Sequence, residues 1–128
     1  MNTAITSGIK ISVESRYQPQ SLKSATPAQL FVYTIRIANH SDQKVQLTRR
    51  FWHIVEPGQA DRFVDGQGVV GKEPILDPGH EFIYSSACDL LDGIGFMSGQ
   101  YLMQNLETEE FFQVRIPRFS LEAVWKMN

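Results

Sequence analysis

Gly66-Gln67-Gly68-Val69-Val70-Gly71-Lys72-Glu73-Pro74, running on through Ile75-Leu76-Asp77-Pro78-Gly79 into His80 to Ser86, is the stretch whose reading decides the fold. It contains a G-x-G-x-x-G. In a dinucleotide-binding unit such glycines lie between a strand and a helix whose first amides face a pyrophosphate, with an acid about 20 residues further on. Here Pro74 follows the third glycine by three residues and no apolar run of helical period begins nearby. The other reading is architectural: Gly66, Gly68 and Gly71 supply bulges, positive φ or close backbone approach on an edge strand. Pro74 and Pro78-Gly79 then forbid a helix and confine the segment to an edge or a turn.

Outward from this stretch the chain alternates at period two. Ile9, Ile11 and Val13 face away from Lys10, Ser12 and Glu14, and Phe31, Tyr33, Ile35 and Ile37 alternate with Val32, Thr34 and Arg36. Both patterns are those of half-buried strands. Residues 16–27 turn polar and read as a surface loop, and Asn39-His40-Ser41-Asp42-Gln43 reads as a hairpin turn. Val45 to Val55 carries apolar residues at both parities, as expected of a strand covered on both faces at one end. Further strands are expected at Arg62-Phe63-Val64, around Phe82 and Tyr84, at Met97 to Asn105 and at Phe111 to Ile116, where Pro117 should end the ladder. Phe119-Ser120-Leu121 could pair briefly. Only residues 88–95 leave room for a short helical turn.

Seven or eight short antiparallel strands with turns about every ten residues predict an all-β, immunoglobulin-like or fibronectin type III-like sandwich, with an open barrel as the structural alternative. At 128 residues, 42% hydrophobic and 20% charged, one globular domain over 1–128 is expected. Twelve basic against fourteen acidic side chains leave no global footprint for nucleic acid or an anionic membrane. Apolar runs are far shorter than the ~20 residues of a membrane span. Met1 to Thr6 lacks a basic region followed by an apolar core, so a cytoplasmic location is expected. The single Cys88 suits a reducing compartment and has no basic sequence neighbour to activate it.

Chemistry is sparse. His40, His53 and His80 show no metal-ligand spacing, Asp61, Asp65 and Asp77 flank loops, and no catalytic constellation is present, so neither metal, cofactor nor catalytic residue is expected. Arg49-Arg50 is the densest positive charge. With strand alternation one arginine points to each side, and Arg50 shares the face of Trp52.

From Leu47 onward the chain resembles the ApaG family. The resemblance is carried by Leu47-x-x-Arg50-x-Trp52-x-Ile54, Val64-x-Gly66-x-Gly68-Val69-Val70-Gly71-x-x-Pro74-x-Leu76-x-Pro78-Gly79, Phe82-x-Tyr84-x-Ser86 and Gly95-x-Met97-x-Gly99-x-Tyr101-x-Met103. It departs at Glu56, where aspartate is usual, at Gln67 for glutamate, at Ala87 for glycine, and at Leu91-Asp92 for Thr-Pro. The resemblance implies a fibronectin type III-like sandwich without established catalytic residues. It also implies an association with cobalt resistance and magnesium efflux, which for this chain would be indirect. Related eukaryotic domains look like protein-interaction modules.

Two functions follow as expectations. In the first, a non-catalytic module holds a protein partner at a sheet edge, with Lys72, Pro74 and Pro78 on its rim and exposed apolar residues nearby. Either a monomer or an edge-paired homodimer fits. In the second, Gly66, Gly68 and Gly71 offer amides to a nucleotide or pyrophosphate, assisted by Arg49 or Arg50. That needs the amides to converge on a concavity; amides spent in a β ladder defeat it.

Overall fold

A computed structural model describes residues 1–19 and 28–123. Alternation is obeyed along each strand, so apolar residues of one parity meet between two sheets. The strands are β1 (Asn2–Thr6), β2 (Ile9–Gln18), β3 (Gln29–Asn39), β4 (Val45–Val55), β5 (Arg62–Gln67), β6 (Ile75–Leu76), β7 (Glu81–Leu90), β8 (Ile94–Asn105) and β9 (Phe111–Glu122). One sheet runs β1-β2-β3-β7 and the other β5-β4-β8-β9, with β6 also on β4; all pairs are antiparallel. Ile9, Ile11, Phe31, Ile35 and Ile37 from the first sheet pack against Leu47, Met97, Tyr101, Met103 and Ile116 from the second. The β-sandwich expected from the strand count is present, and the described residues contain no helix.

Two strands escape the sequence pattern. The first, β1, is polar and pairs with β2 through a two-residue turn in which Ser7 (φ 51°) and Gly8 (φ 80°) both take the left-handed region that such hairpins require. The second, β6, spans two residues only. Arg16, Tyr17 and Gln18, expected in a loop, instead extend β2 opposite Val32, Phe31 and Leu30. The rest of that expected loop, residues 20–27, lies outside the described residues.

Four further expectations are corrected. Asn39–Gln43 does not turn a hairpin: β3 and β4 lie in different sheets, and the segment carries the chain from one to the other. The buried Asn39 holds this crossing. Its Nδ2 donates to the carbonyls of Gln43 (2.8 Å) and Leu76 (3.0 Å), while its Oδ1 accepts from the Ser41 amide (3.0 Å) and hydroxyl (2.6 Å). Nor is β4 apolar on both parities because it is covered twice. Its register against β8 shifts between Leu47 and Arg49, so Thr48 is a bulge residue. The extra residue flips the parity, and Val45, Leu47, Trp52 and Ile54 all reach the same core.

Pro117 does not end the ladder. The β8–β9 register slips between Met97 and Gly99, placing Pro117 and Arg118 opposite the single Ser98, and β9 runs on to Glu122. A bulge is where a strand tolerates a residue with no N–H. Residues 88–95 form no helical turn either. Cys88 to Leu90 complete β7, a bend follows, and β8 begins at Ile94. There Glu56, 6% exposed, reaches the bend and its Oε2 accepts the Asp92 amide at 2.6 Å.

The sandwich is sealed along one side by bonds between β1 or β2 and β9. Asn2 donates to the Arg118 carbonyl, the Arg115 amide donates to Thr6, and the Ser15 hydroxyl donates to the Ser120 carbonyl. The opposite side carries β7 and β5, linked where Arg62 donates to the side chain and carbonyl of Asp89.

Candidate functional site

The glycine segment sits on that second side. Gly66 is a ladder residue opposite Arg50, and Gln67 is opposite Arg49. The Gly68 amide donates to the Thr48 carbonyl at 2.8 Å, and Val69 and Lys72 exchange amide-to-carbonyl bonds of 2.8 Å each. The chain reverses in that tight turn, with positive φ at Gly68 (61°), Val70 (43°) and Gly71 (77°). The amide of Gly68 is therefore spent within the sheet, and the carbonyls of Gln67 and Gly68 accept from Arg50 Nη1 at 2.9 Å each. The amides of Gly68, Val69 and Lys72 are thus bonded within the sheet and its turn.

The two arginines separate as the alternation requires. Arg49 points outward into an ion pair with Asp65 (2.8 Å). Arg50 lies on the Trp52 parity and leans over Gly66. Its charge acts on three buried phenols nearby: Tyr33, Tyr84 and Tyr101 are all pushed above their ordinary values by burial, an effect Arg50 only partly offsets. The hydroxyls of Tyr84 and Tyr101 share a hydrogen bond of 2.5 Å across the core. Burial also raises the Cys88 thiol, against a smaller lowering by Arg62, the direction opposite to that of an activated cysteine.

The loop acids do not converge. Asp61 holds His53 (2.7 Å), Asp65 holds Arg49, and Asp77 faces Lys44 (3.5 Å) and His80 (3.8 Å). Among the described residues no three His, Cys, Asp or Glu side chains are grouped to hold a metal ion.

On the rim, Lys72 is exposed in the tight turn, the Pro74 carbonyl accepts the Leu47 amide at 3.0 Å, and exposed Pro78 precedes Gly79, whose amide donates to the Asn39 carbonyl. Val70 and Ile75 project from this rim half exposed, and Phe63 and Val64 continue an apolar series along β5.

The profile of the ApaG domain family matches residues 19–105. Over 123 residues the chain is 39% identical to protein ApaG of Methylobacterium radiotolerans, covering 96% of this chain and 94% of that one. The chain belongs to the ApaG domain family. Protein ApaG of Brucella abortus is similarly related, at 38% identity over the same shares. Among solved structures, a Bordetella pertussis protein described as ApaA superposes with a TM-score of 0.83 at 35% identity, covering 91% of this chain and 94% of that one. A structural-genomics target reaches 0.85 at 32% identity, with coverage of 95% and 92%. The PapD-like domain 7 of human CEP192 shares the fold alone, at 10% identity, a TM-score of 0.52, and coverage of 88% and 84%. The ApaG relatives carry no enzymatic activity in their names.

Sequence reasoning missed β7 as a candidate site. Its ten residues pair with β3 in an unbroken register, without proline or glycine. The Asn39 amide donates to the His80 carbonyl, so by antiparallel alternation residues 82, 84, 86 and 88 turn their backbone groups to β3 and residues 83, 85, 87 and 89 turn theirs outward. The bond from Arg62 to the Asp89 carbonyl agrees with that phase. Ile83, Ser85 and Ala87 present uncharged, exposed side chains over this stretch, whose outward backbone groups meet no backbone partner among the described residues.

Proposed function

We propose that this chain is a non-catalytic protein-binding module that takes an extended segment of another protein as an added strand along β7, beside the Lys72, Pro74 and Pro78 rim. The observation that carries the reading is the contrast among sheet edges. Natural sheets guard their edges with bulges, proline, short strands or inward charges. The bulged β9 and the polar β1 are bonded to one another across the sealed side. The edge at β5 and β6 is broken by a tight turn and Pro74. In β7 seven residues, Glu81 to Ala87, run straight with charge only at the first. An added strand would gain main-chain hydrogen bonds from residues 83, 85 and 87, and apolar contact from Ile83. Any bearing on cobalt or magnesium homeostasis would then run through the partner.

The test is Ala87→Pro. Residue 87 turns its N–H outward, so proline there removes the donor for an added strand without removing a β3–β7 bond. Cells expressing the tagged chain are cross-linked, and partners are compared between wild type and variant of matched thermal stability. Loss of a specific partner from Ala87→Pro, and from Ile83→Lys, supports strand addition. Recovery of the same partners with both variants sinks it.

A further inference from the structure

On the outer face of the β5-β4-β8-β9 sheet the side chains do not follow the polar pattern expected of a solvated face. Phe51, His53, Phe63 and Phe96 all point outward, and Phe63 is 75% exposed with its ring stacked on His53 at 4.7 Å and 9°. Cross-strand register explains the shape that results. Phe63 and His53 stand beside Ser98, and Phe51 stands beside Gln100 and then Arg115. The small Ser98 and Gly99 on β8 form the bed of a trench of about 480 Å³, walled on one side by the aromatic residues of β4 and β5 and on the other by Arg115 and Arg118 of β9. Arg118 is aimed by Phe96, over whose ring its guanidinium lies at 4.3 Å.

The charges on this trench are uncompensated. No aspartate or glutamate lines it, and neither Arg115 nor Arg118 belongs to an ion pair among the described residues. The neighbouring acids on the β5 side, Asp61 and Asp65, are engaged by His53 and Arg49.

The geometry points to a binding site for a short acidic peptide segment with an aromatic anchor, its ring against Phe51 and the His53–Phe63 stack and its carboxylates on Arg115 and Arg118. Guanidinium forks suit carboxylates, and an aromatic wall supplies the apolar contact. A peptide fits better than a nucleic acid, because two free arginines on a chain of net charge −2 give no continuous basic track for a phosphate backbone. The inference rests on the binding-module reading but uses a different sheet, so the two fail separately.

The test is an amide NMR titration of the whole chain with the blocked heptapeptide GDEFEDG and its neutral counterpart GNQFQNG, at up to millimolar peptide. Saturable shifts confined to Ser98–Gln100, His53, Phe63 and Arg115 are expected with the acidic peptide, weakening as salt rises. Arg115→Gln combined with Arg118→Gln should weaken binding about tenfold. Ser98→Trp, which fills the trench without altering charge, should abolish it, while Ala87→Pro should leave it unchanged. Absence of saturable shifts, equal binding of the neutral peptide, or indifference to both trench variants overturns the proposal. Tighter binding of an oligodeoxythymidine overturns it in favour of single-stranded nucleic acid. Concentration-dependent shifts of the same amides without peptide overturn it in favour of a second copy of the chain.

Discussion

The guanidinium of Arg50 occupies the space in which a side chain at position 66 would begin: a Cβ built on Gly66 would lie 2.7 Å from Arg50 Cζ. The first glycine of the G-x-G-x-x-G is thus a seat for an arginine of the neighbouring strand, and that arginine ties down the carbonyls of the next two residues. The second glycine meets backbone instead. At Gly68, where φ is 61°, a Cβ would stand 2.2 Å from the Lys72 carbonyl oxygen, whereas at Gly71 it would meet open space.

A ranking of alanine substitutions follows. Gly68→Ala should cost about 3 kcal/mol or more, since both backbone strain and an immovable carbonyl oppose it. Gly66→Ala should cost about 1–2 kcal/mol, because the flexible Arg50 side chain swings away and gives up its bonds. Gly71→Ala should cost about 1 kcal/mol, for its left-handed φ alone. Urea midpoints measure the order, and Gly66→Ala destabilising more than Gly68→Ala would contradict it.

The Tyr84–Tyr101 hydroxyl pair should behave as a unit. Removing one hydroxyl leaves the other buried without its partner, so Tyr84→Phe and Tyr101→Phe should each cost about 1–3 kcal/mol, and the double substitution less than their sum. A double-mutant cycle checks this; strict additivity would show that each hydroxyl is satisfied without the other.

Alkaline sensitivity follows from the same phenols. Their folded pKa values lie above the ordinary one, so their contribution is fully present below about pH 10 and falls as pH rises, because the unfolded chain sheds protons that the fold retains. Cys88 acts with the same sign from its lower ordinary value. Melting temperature should decline between about pH 9 and about pH 11, and less steeply in the Tyr84→Phe, Tyr101→Phe protein.

Asn39 ought to be among the costliest polar positions. Asn39→Ala strips four hydrogen bonds from the crossing between sheets and should cost about 3 kcal/mol. Asn39→Asp should be at least as harmful, since a carboxylate would face the Gln43 and Leu76 carbonyls that the amide now donates to. Chemical denaturation of the two variants gives the comparison.

Glu56 and Asp92 form one device. The Glu56 carboxylate accepts from the Asp92 N–H, a donor that a proline at position 92 would lack. Asp92→Pro should strand a buried carboxylate and cost about 1–3 kcal/mol. Combining it with Glu56→Asp should cost less than the sum, as a stability cycle would reveal.

Much of the molecule was legible in the chain because a strand writes its buried face at every second residue. The alternation of Phe31, Tyr33, Ile35 and Ile37 announced β3, and Pro74 with Pro78 excluded the helix that nucleotide binding would need. The same rule misled wherever a bulge intervened. Thr48 made one core-facing strand look covered on both faces, and Pro117 looked like an end because its bulge partner, Ser98, is distant in sequence. The Ser7-Gly8 turn was a readable signal for β1 that the polar strand before it obscured.

By itself, then, the sequence determined the all-β class and the place of Arg50 on the Trp52 face, since these depend on local geometry and side-chain period, and its motif residues carried the ApaG resemblance. Tertiary structure alone decided that β3 and β4 part to different sheets, that β7 is the outermost strand of its sheet among the described residues, and that Arg115 and Arg118 face Phe51 and Phe63 across Ser98 and Gly99. The physical reason is common to all three. Which strand lies beside which is set by contacts between residues tens of positions apart, and no local period records them.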